Sequence, residues 1–346
     1  MTVLPYSGVP IFNEDGTFRK EDDVVQGRSY SSNLTKLLKQ LPKLENLQKG
    51  KPPSPVMAHI SLTNYCNLTC SFCCFANRDI SEKMPTEKVL KALDSFRAVG
   101  VTGVEFTGGG EPSIHPDFKK IVRYAKDLGF SLGICTNAAR FGMDRPIKKD
   151  IVELFDWVRM GMYGFYEGYD YDLRVFEGTN CKPSAAYVWD ENLETSKNPN
   201  ITGEWTDVKN KRMLSKKFQT TENFIRMLDW VEENKIPCRI AFNAIKDVKE
   251  TAKDIETIRG IIHEYEKDRG RKLQSAFLSD FNFKGERRND HCYMHMVKPF
   301  LFTDGYVYAC PSAELSIENN YNYVPESQFA VCDVDGIIDF YSKAPS

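Results

Sequence analysis

The chain has 346 residues, of which 41% are hydrophobic, enough for a large core, and this excludes wholesale disorder. Its formal net charge of −2 excludes the broad basic surface of a general nucleic-acid-binding protein or of a protein that coats an acidic membrane. Residues 1–16 lack the pattern of a signal peptide, and no apolar run approaches the ~18 residues of a transmembrane helix. The sequence therefore predicts a cytoplasmic protein without a membrane span.

Strand and helix patterns alternate along most of the chain after residue 56. Short apolar runs predict strands at 57–62, 101–106, 130–135, 158–162, 238–245 and 273–278. Apolar residues at helical spacing predict helices at 86–100, 117–128, 146–155, 221–234 and 250–268. Such alternation predicts an α/β fold with a parallel sheet, either open and doubly wound or a partial barrel. In both, ligands lie at the carboxyl ends of the strands.

Two segments fall outside this alternation. Residues 1–55 are polar and irregular, and they predict an amino-terminal extension. Residues 163–220 begin with aromatic side chains and continue as a polar stretch. A long segment without secondary structure in a compact domain is usually functional or disordered. Because this segment leaves the carboxyl end of a predicted strand, it predicts an insertion that covers the active site as a lid.

Three cysteines follow the first predicted strand with the spacing C-x3-C-x2-C: Cys66, Cys70 and Cys73. Three thiolates so close together can wrap one face of an iron–sulfur cluster, and three ligands for four irons leave one iron open to a substrate or cofactor. A structural zinc site usually takes four protein ligands in paired C-x2-C spacing, and Cys74 cannot easily serve one tetrahedral ion alongside Cys73. The spacing therefore favours a cluster over zinc.

A glycine-rich turn follows the second predicted strand, with the sequence TGGGEP at 107–112. Glycines allow a backbone to approach a ligand closely. Glu111 follows the glycines at once and can accept hydrogen bonds from a ligand ammonium group. The turn alone is a weak signal, but one strand–helix unit after the cysteine loop it becomes specific.

Together these two motifs resemble the radical S-adenosylmethionine (radical SAM) superfamily, and about residues 57–280 follow its order of strands and helices. The resemblance implies a partial (β/α)6 barrel over 56–285. It implies that the three cysteines hold a [4Fe–4S] cluster whose open iron is chelated by S-adenosylmethionine (SAM). It further implies an enzyme that cleaves SAM reductively, abstracts a substrate hydrogen atom with the 5′-deoxyadenosyl radical, and takes electrons from a flavodoxin- or ferredoxin-type protein.

The resemblance also implies a set of cofactor-binding residues, namely Phe72, Gly109, Gly110, Glu111, Asn137, Arg159, Arg174 and Asn243. In that set Phe72 meets the adenine, the glycines and Glu111 hold the methionine amino group, and Arg174 meets the SAM carboxylate. Arg159 is a contact for either the substrate or SAM. The chain departs from the family pattern at Gly161, where a serine is usual, and at Tyr163, where an aspartate is usual.

Three further cysteines lie near the end of the chain, at Cys292, Cys310 and Cys332. Residues 300–310 predict a hairpin with Asp-Gly at its turn. This pattern resembles the twitch or SPASM extension of radical SAM enzymes, and it implies a small auxiliary [4Fe–4S] domain over 286–346. The three cysteines are the implied ligands, and a twitch domain with one cluster fits better than a seven-cysteine SPASM domain.

The fourth ligand of the auxiliary cluster stays open between Cys181, Cys238 and the substrate itself, with His291 and His295 as lesser candidates. An auxiliary cluster implies assistance in oxidation or bond formation. Residues 1–55 are too short for a peptide-recognition domain, which favours a small-molecule or nucleotide-like substrate. One alternative is a peptide-modifying enzyme, an epimerase or cross-link former, for which Cys181 and Cys238 are candidate hydrogen donors. The other is a non-catalytic iron–sulfur electron carrier, which leaves the glycine-rich turn unexplained.

Overall fold

The computed structural model describes most of the chain between residues 41 and 343. The described ranges are 41–52, 54–70, 72–73, 75, 80–138, 140, 147–162, 171–189, 212–213, 220–242, 248–278, 294–308 and 330–343. Within these ranges, no helix combines the length and the apolar character needed to cross a membrane.

Helices and strands alternate through the described ranges. The helices are α1 (Leu41–Gln48), α2 (Thr86–Ala98), α3 (Phe118–Asp127), α4 (Lys149–Val152), α5 (Thr221–Glu233), α6 (Val248–Arg269), α7 (Met294–Val297) and α8 (Ile337–Ser342). The strands are β1 (Met57–Ile60), β2 (Leu68–Thr69), β3 (Gly103–Phe106), β4 (Ser131–Thr136), β5 (Trp157–Gly161), β6 (Lys182–Trp189), β7 (Arg212–Met213), β8 (Cys238–Phe242), β9 (Ala276–Leu278), β10 (Phe300–Leu301), β11 (Tyr306–Tyr308) and β12 (Ala330–Asp333).

One ten-stranded sheet organises the molecule, in the order β12-β11-β10-β1-β3-β4-β5-β6-β8-β9. From β10 through β1 to β9, each strand pairs in parallel with its neighbour. The strands β12 and β9 stand at the two ends of the order and do not pair with each other, so the described sheet is open. This confirms the predicted α/β fold and is consistent with a partial barrel.

Helices cover one face of the sheet because their apolar residues recur at helical spacing. The buried apolar side chains of α3 follow this spacing, at Phe118, Ile121, Val122 and Ala125. The Phe118 ring stacks on Phe155 and meets Phe106 of β3 edge-on, each with ring centroids 6.3 Å apart. Burial of one such ring contributes about 1.5–3 kcal/mol. The main core therefore lies between the helices and this face of the sheet.

The prediction of an irregular insertion throughout 163–220 is wrong for residues 182–189, which form β6 in the middle of the sheet. Here β6 pairs with β5 on one side and β8 on the other. Its buried residues alternate at Ala185, Tyr187 and Trp189, which is the period of a strand. The strand was missed because no full helix precedes it and because Pro183 stands at its start. Residues 163–170, 190–211 and 214–219 lie outside the described residues, so the lid stays a prediction.

The predicted hairpin near the end of the chain is confirmed. Strands β10 and β11 pair antiparallel, and Gly305 at the turn has φ +88°, which favours glycine. Strand β10 also pairs in parallel with β1, with Phe300 opposite His59. The segment predicted as a separate auxiliary domain therefore begins as an extension of the main sheet.

Candidate active site

The three clustered cysteines lie on one loop between β1 and α2. Cys66, Cys70 and Cys73 are partly exposed. The backbone N–H of Cys73 donates to the Cys70 carbonyl at 3.0 Å. Between the first two cysteines, β2 pairs in parallel with β7, so a part of the 163–220 segment reaches the cysteine loop through its backbone.

The glycine-rich turn packs directly on the backbone that leads into this loop. The Gly110 N–H donates to the Thr63 carbonyl at 2.7 Å, and the Glu111 N–H donates to the Tyr65 carbonyl at 2.9 Å. A Cβ at Gly110 would overlap the Tyr65 carbonyl, and one at Gly109 would lie 2.5 Å from the Ser61 Oγ. The glycines are therefore required because two backbones touch here, and their contact sets the position of Cys66.

Glu111 ties the glycine-rich turn to the end of β4. Its side chain is only 2% exposed, and its carboxylate accepts three hydrogen bonds. Thr136 Oγ1 donates to Oε1 at 2.7 Å, Ser113 N–H to the same oxygen at 3.1 Å, and Asn137 N–H to Oε2 at 2.7 Å. Burial raises the pKa of Glu111, and these hydrogen bonds oppose the shift. Its predicted contact with the SAM amino group stays a prediction, for which Oε2 keeps one lone pair.

Asn137 connects the end of β4 to the cysteine loop. Its Nδ2 donates to Asn67 Oδ1 at 2.8 Å and lies 3.6 Å from Cys66 Sγ, within hydrogen-bonding reach of a sulfur. The next residue, Ala138, has φ +60°, which is unusual for a residue with a side chain. Hydrogen bonds to ligand sulfurs tune iron–sulfur clusters. Asn137 is thus placed to act on Cys66 itself.

A polar cluster occupies the face of the sheet opposite the helices, which we call the inner face. Its centre is the buried Glu105 of β3, whose Oε2 lies 2.7 Å from His59 Nε2 of β1. Cys135 Sγ of β4 donates to Glu105 Oε1 at 3.0 Å. Nη2 of Arg159 on β5 lies 2.7 Å from Cys135 Sγ and 3.5 Å from Glu105 Oε1. Lys298 Nζ completes the cluster, 3.8 Å from Glu105 Oε2.

Burial and charge set the protonation states of this inner-face cluster. Burial favours a neutral Glu105, but His59 and the nearby cations outweigh it and hold the pKa of this carboxyl well below its usual range. Burial lowers the pKa of His59, and Glu105 opposes this only in part. At neutral pH Glu105 is therefore a carboxylate. Burial raises the pKa of the Cys135 thiol to about 12, although Arg159 opposes the shift.

Residues 60–168 match the family model of the Radical SAM superfamily. This part of the chain belongs to the radical SAM superfamily. The matched residues contain the cysteine loop and the glycine-rich turn, which meet in the structure, and Arg159 of the inner-face cluster. The superfamily consists of enzymes that use a [4Fe–4S] cluster and SAM, as the resemblance implied.

Two curated radical SAM relatives match over similar short stretches. The S-adenosylmethionine-dependent nucleotide dehydratase of Selenomonas ruminantium is 31% identical over 98 residues, 28% of this chain and 35% of that protein. The tungsten-containing aldehyde ferredoxin oxidoreductase cofactor-modifying protein of Pyrococcus furiosus is 37% identical over 98 residues, 28% of this chain and 27% of that protein. The matches thus span about a third or less of these relatives' lengths.

Solved radical SAM structures resemble a larger part of the chain. The structure of Streptococcus suis SuiB bound to precursor peptide SuiA has a TM-score of 0.52 and 17% identity, and it covers 93% of this chain and 73% of that chain. SuiB bound to S-adenosylmethionine gives the same TM-score of 0.52 at 18% identity, over 90% of this chain and 75% of that chain. At this identity the likeness shows the fold.

The donor set of the cysteine loop fits the radical SAM cluster better than it fits a single ion. Three thiols within one loop are the ligands that such a cluster takes. Among the described residues, which include these three cysteines, no group of three His, Cys, Asp or Glu side chains is already arranged to hold a metal ion. The Asn137 amide beside Cys66 and the close backbone approach at Gly109 and Gly110 also suit a cluster with a bound cofactor.

Other predicted cofactor contacts are less well placed. Phe72 is buried at the edge of the main core. Arg174 has a side chain that is 81% exposed and pairs with Asp172 at 2.6 Å. Asn243 lies outside the described residues. The assignments of Arg174 to the SAM carboxylate and of Asn243 to the cofactor therefore stay predictions.

The structure places the two candidate hydrogen-donor cysteines away from the inner face, and their role as hydrogen donors stays a prediction. Cys238 lies on the helix-covered face, with its sulfur 3.7 Å from Met227 Sδ of α5. Cys181 is buried just before β6, at the amino-terminal end of the sheet and near Asp156, and burial raises the pKa of its thiol to about 12. The cysteine loop lies at the opposite, carboxyl end.

The auxiliary cluster stays a prediction. Cys332 lies on β12 opposite Val307 and is partly buried, and burial raises the pKa of its thiol to about 12. Cys292, Cys310, His291 and the side chain of His295 lie outside the described residues.

Sequence reasoning found Arg159 but missed its partners on the inner face. His59, Glu105 and Cys135 come from three different strands, and Lys298 comes from the segment before β10. The available signal was a charged or polar residue inside an otherwise apolar strand, as in MAHI and GVEF.

Proposed function

We propose that this chain is a radical SAM enzyme in which Cys66, Cys70 and Cys73 hold a [4Fe–4S] cluster and SAM occupies its open iron. The observation that carries the proposal is the direct contact between the cysteine loop and the glycine-rich turn. The cysteine loop is held by backbone hydrogen bonds to the glycine-rich turn, and Glu111 and Asn137 connect both loops to the end of β4. An electron carrier needs the cysteines but has no need for this second loop.

When bound, the cluster and SAM supply a 5′-deoxyadenosyl radical that abstracts a hydrogen atom from the substrate. The residues of the chain position and shield these groups. The glycines allow the turn to pack against the backbone that leads into the cysteine loop, and Asn137 donates toward Cys66. The substrate enters at the carboxyl ends of the strands, above the inner face. A flavodoxin- or ferredoxin-type protein delivers the electron at the partly exposed cysteine loop.

A small-molecule or nucleotide-like substrate agrees with the match to the nucleotide dehydratase. A peptide substrate is the second candidate, because the fold agrees with SuiB, which was solved with its precursor peptide, over 93% of this chain. In either case we propose that an auxiliary cluster, held in part by Cys292, Cys310 and Cys332, assists oxidation or bond formation. The pairing of the hairpin with β1, which carries His59 of the inner-face cluster, supports this proposal.

The test is formation of 5′-deoxyadenosine after anaerobic reconstitution with iron and sulfide and reduction with dithionite. Wild-type protein should cleave SAM, and Cys66→Ser should not. Cys181→Ala is the matched control, because it removes a buried thiol at the other end of the sheet. Absence of 5′-deoxyadenosine from cluster-loaded wild type, or equal amounts from Cys66→Ser, would overturn the proposal.

A further inference from the structure

The parallel strands carry an uneven set of charges. Across the described strands β1, β3, β4, β5, β6, β8 and β9, Glu105 is the single acidic residue. Arg159 lies on the inner face with it, as its contacts show. Arg239 of β8 lies on the same face, because its neighbours Cys238 and Ile240 are buried on the other side. Positive charge therefore exceeds negative charge on the inner face of these strands.

Glu105 is hydrogen-bonded to His59 and Cys135, while its two nearest cations, Arg159 and Lys298, lie farther from its carboxylate. His59 and Cys135 contact its carboxylate at 2.7 and 3.0 Å. Arg159 and Lys298 lie 3.5 and 3.8 Å from it, beyond the roughly 2.7–2.9 Å of a charge-assisted hydrogen bond. Arg159 and Lys298 together carry two positive charges beside the single negative charge of Glu105.

Both cations can be reached from the inner face. The Arg159 side chain is 28% exposed and the Lys298 side chain 18% exposed, while Glu105 is 6% exposed. The two come from opposite sides of Glu105, one from β5 and the other from the segment before β10. Two cations held in place and partly desolvated attract an oxyanion much more strongly than cations on an open surface.

A buried hydroxyl on the same face also points to a ligand. Ser61 follows His59 by two residues and therefore shares its side of the chain. Its Oγ is fully buried and has no hydrogen-bond partner among the described residues. It lies beside Gly109, between the inner-face cluster and the glycine-rich turn. Buried hydroxyl groups are normally hydrogen-bonded, so an unpaired one marks a place where a bound molecule can supply the partner.

We propose that Arg159 and Lys298 bind an anionic group of the substrate, a carboxylate or a phosphate, at the inner face of the sheet. The inference deepens the proposed function and rests on it for the identity of the ligand as substrate. Asn137, which reaches Cys66, stands two residues after Cys135 on the same side of β4, about 7 Å farther along the strand. The cations thus lie about one layer of side chains away from Asn137 and the cysteine loop that would hold the cofactor.

The test measures anion binding by the reconstituted, SAM-loaded protein without reductant. Inorganic phosphate and acetate are titrated separately by calorimetry, at constant chloride. Wild type should bind at least one of them, and Arg159→Gln and Lys298→Gln should each weaken that binding about tenfold or more. Lys298→Arg, which keeps the charge, should retain most of the binding. Lys126→Gln is the matched control, since it removes a cation that pairs with Asp156 away from the inner face.

The outcomes separate the sources of the anion. Binding of phosphate alone indicates a phosphorylated substrate, and binding of acetate alone indicates a carboxylate. The inference is overturned if wild type binds neither anion, or if both Gln variants bind the anion as tightly as wild type does. If the Gln variants lose SAM affinity while anion binding is unchanged, the cations serve SAM and the inference is also overturned. Lys298→Gln keeps the test valid should Arg159→Gln fail to fold, which circular dichroism detects.

The two proposals fail in different ways. If cluster-loaded wild type forms no 5′-deoxyadenosine, the proposed function is wrong, whatever the anion titration shows. If wild type forms 5′-deoxyadenosine but the anion titration is flat, only the inner-face inference is wrong.

Discussion

Glu111 accepts hydrogen bonds from groups on two segments of the chain. A substitution that keeps its size but removes its charge therefore also disturbs these hydrogen bonds. Glu111→Gln keeps the size but replaces one acceptor oxygen by an NH2 group. The Asn137 and Ser113 N–H groups are fixed backbone donors to different oxygens, so one of them loses its acceptor whichever way the amide turns. An unpaired buried donor costs about 1–3 kcal/mol, offset in part because the buried charge is also removed.

We expect Glu111→Gln to bind SAM more weakly and to lower the thermal midpoint by a few degrees, with the visible absorption of the cluster retained. Calorimetric titration with SAM and a thermal melt measure the two effects. Glu87→Gln, an exposed acid in the first turn of α2, is the control. Unchanged SAM affinity and an unchanged thermal midpoint would show that Glu111 neither binds SAM nor stabilises the fold.

Among the elements, the hairpin of β10 and β11 does more than lengthen the sheet. Phe75, two residues after Cys73, stacks on Phe300 and Phe302 with ring centroids 6.4 and 6.1 Å apart. At the turn, Thr303 Oγ1 donates to Glu82 Oε2 at 3.2 Å, and the same oxygen accepts from Asn64 at 3.1 Å. The hairpin therefore supports the cysteine loop from outside the region that matches the family model.

Phe302→Leu tests this support, because it keeps an apolar side chain but removes the stacked ring. We expect less iron after reconstitution and a weaker affinity for SAM, measured by iron assay and titration. Phe340→Leu serves as the control, since Phe340 packs on Tyr341 in α8 and not on the loop. Equal iron content and SAM affinity in the two variants would show that the hairpin does not act on the loop.

For the whole molecule, the cysteine content predicts two iron–sulfur clusters, one of which can be removed by substitution while the other remains bound. Reconstituted wild type should hold about eight irons, four in each [4Fe–4S] cluster. Replacing Cys66, Cys70 and Cys73 together by Ala should remove about half of the iron and abolish SAM cleavage, because the second set of ligands lies elsewhere in the chain. Iron and sulfide assays with electron paramagnetic resonance measure the loss. A triple variant that keeps all its iron would show that these cysteines are not cluster ligands.

Much of the fold was predictable from the sequence because it depends on neighbours along the chain. Apolar runs and helical spacing located most strands and helices, and the Asp-Gly pair located the hairpin turn. Strand β6 escaped because it begins with a proline-containing segment and follows a loop rather than a helix. Its alternating Ala185, Tyr187 and Trp189 are the only local sign of a strand there, and their burial depends on α5 packing over them.

The sequence by itself determined the chemistry of the cofactor loops, since three cysteines within eight residues and a glycine run before Glu111 define their donors without reference to the rest of the chain. Only the tertiary structure decided what surrounds them. Glu105 and Arg159 are 54 residues apart in sequence, and they meet because the strands between them lie side by side in the sheet. Lys298 and the hairpin join the site because β10 pairs with β1. Such contacts depend on the order of strands in space, which the spacing of residues along the chain does not encode.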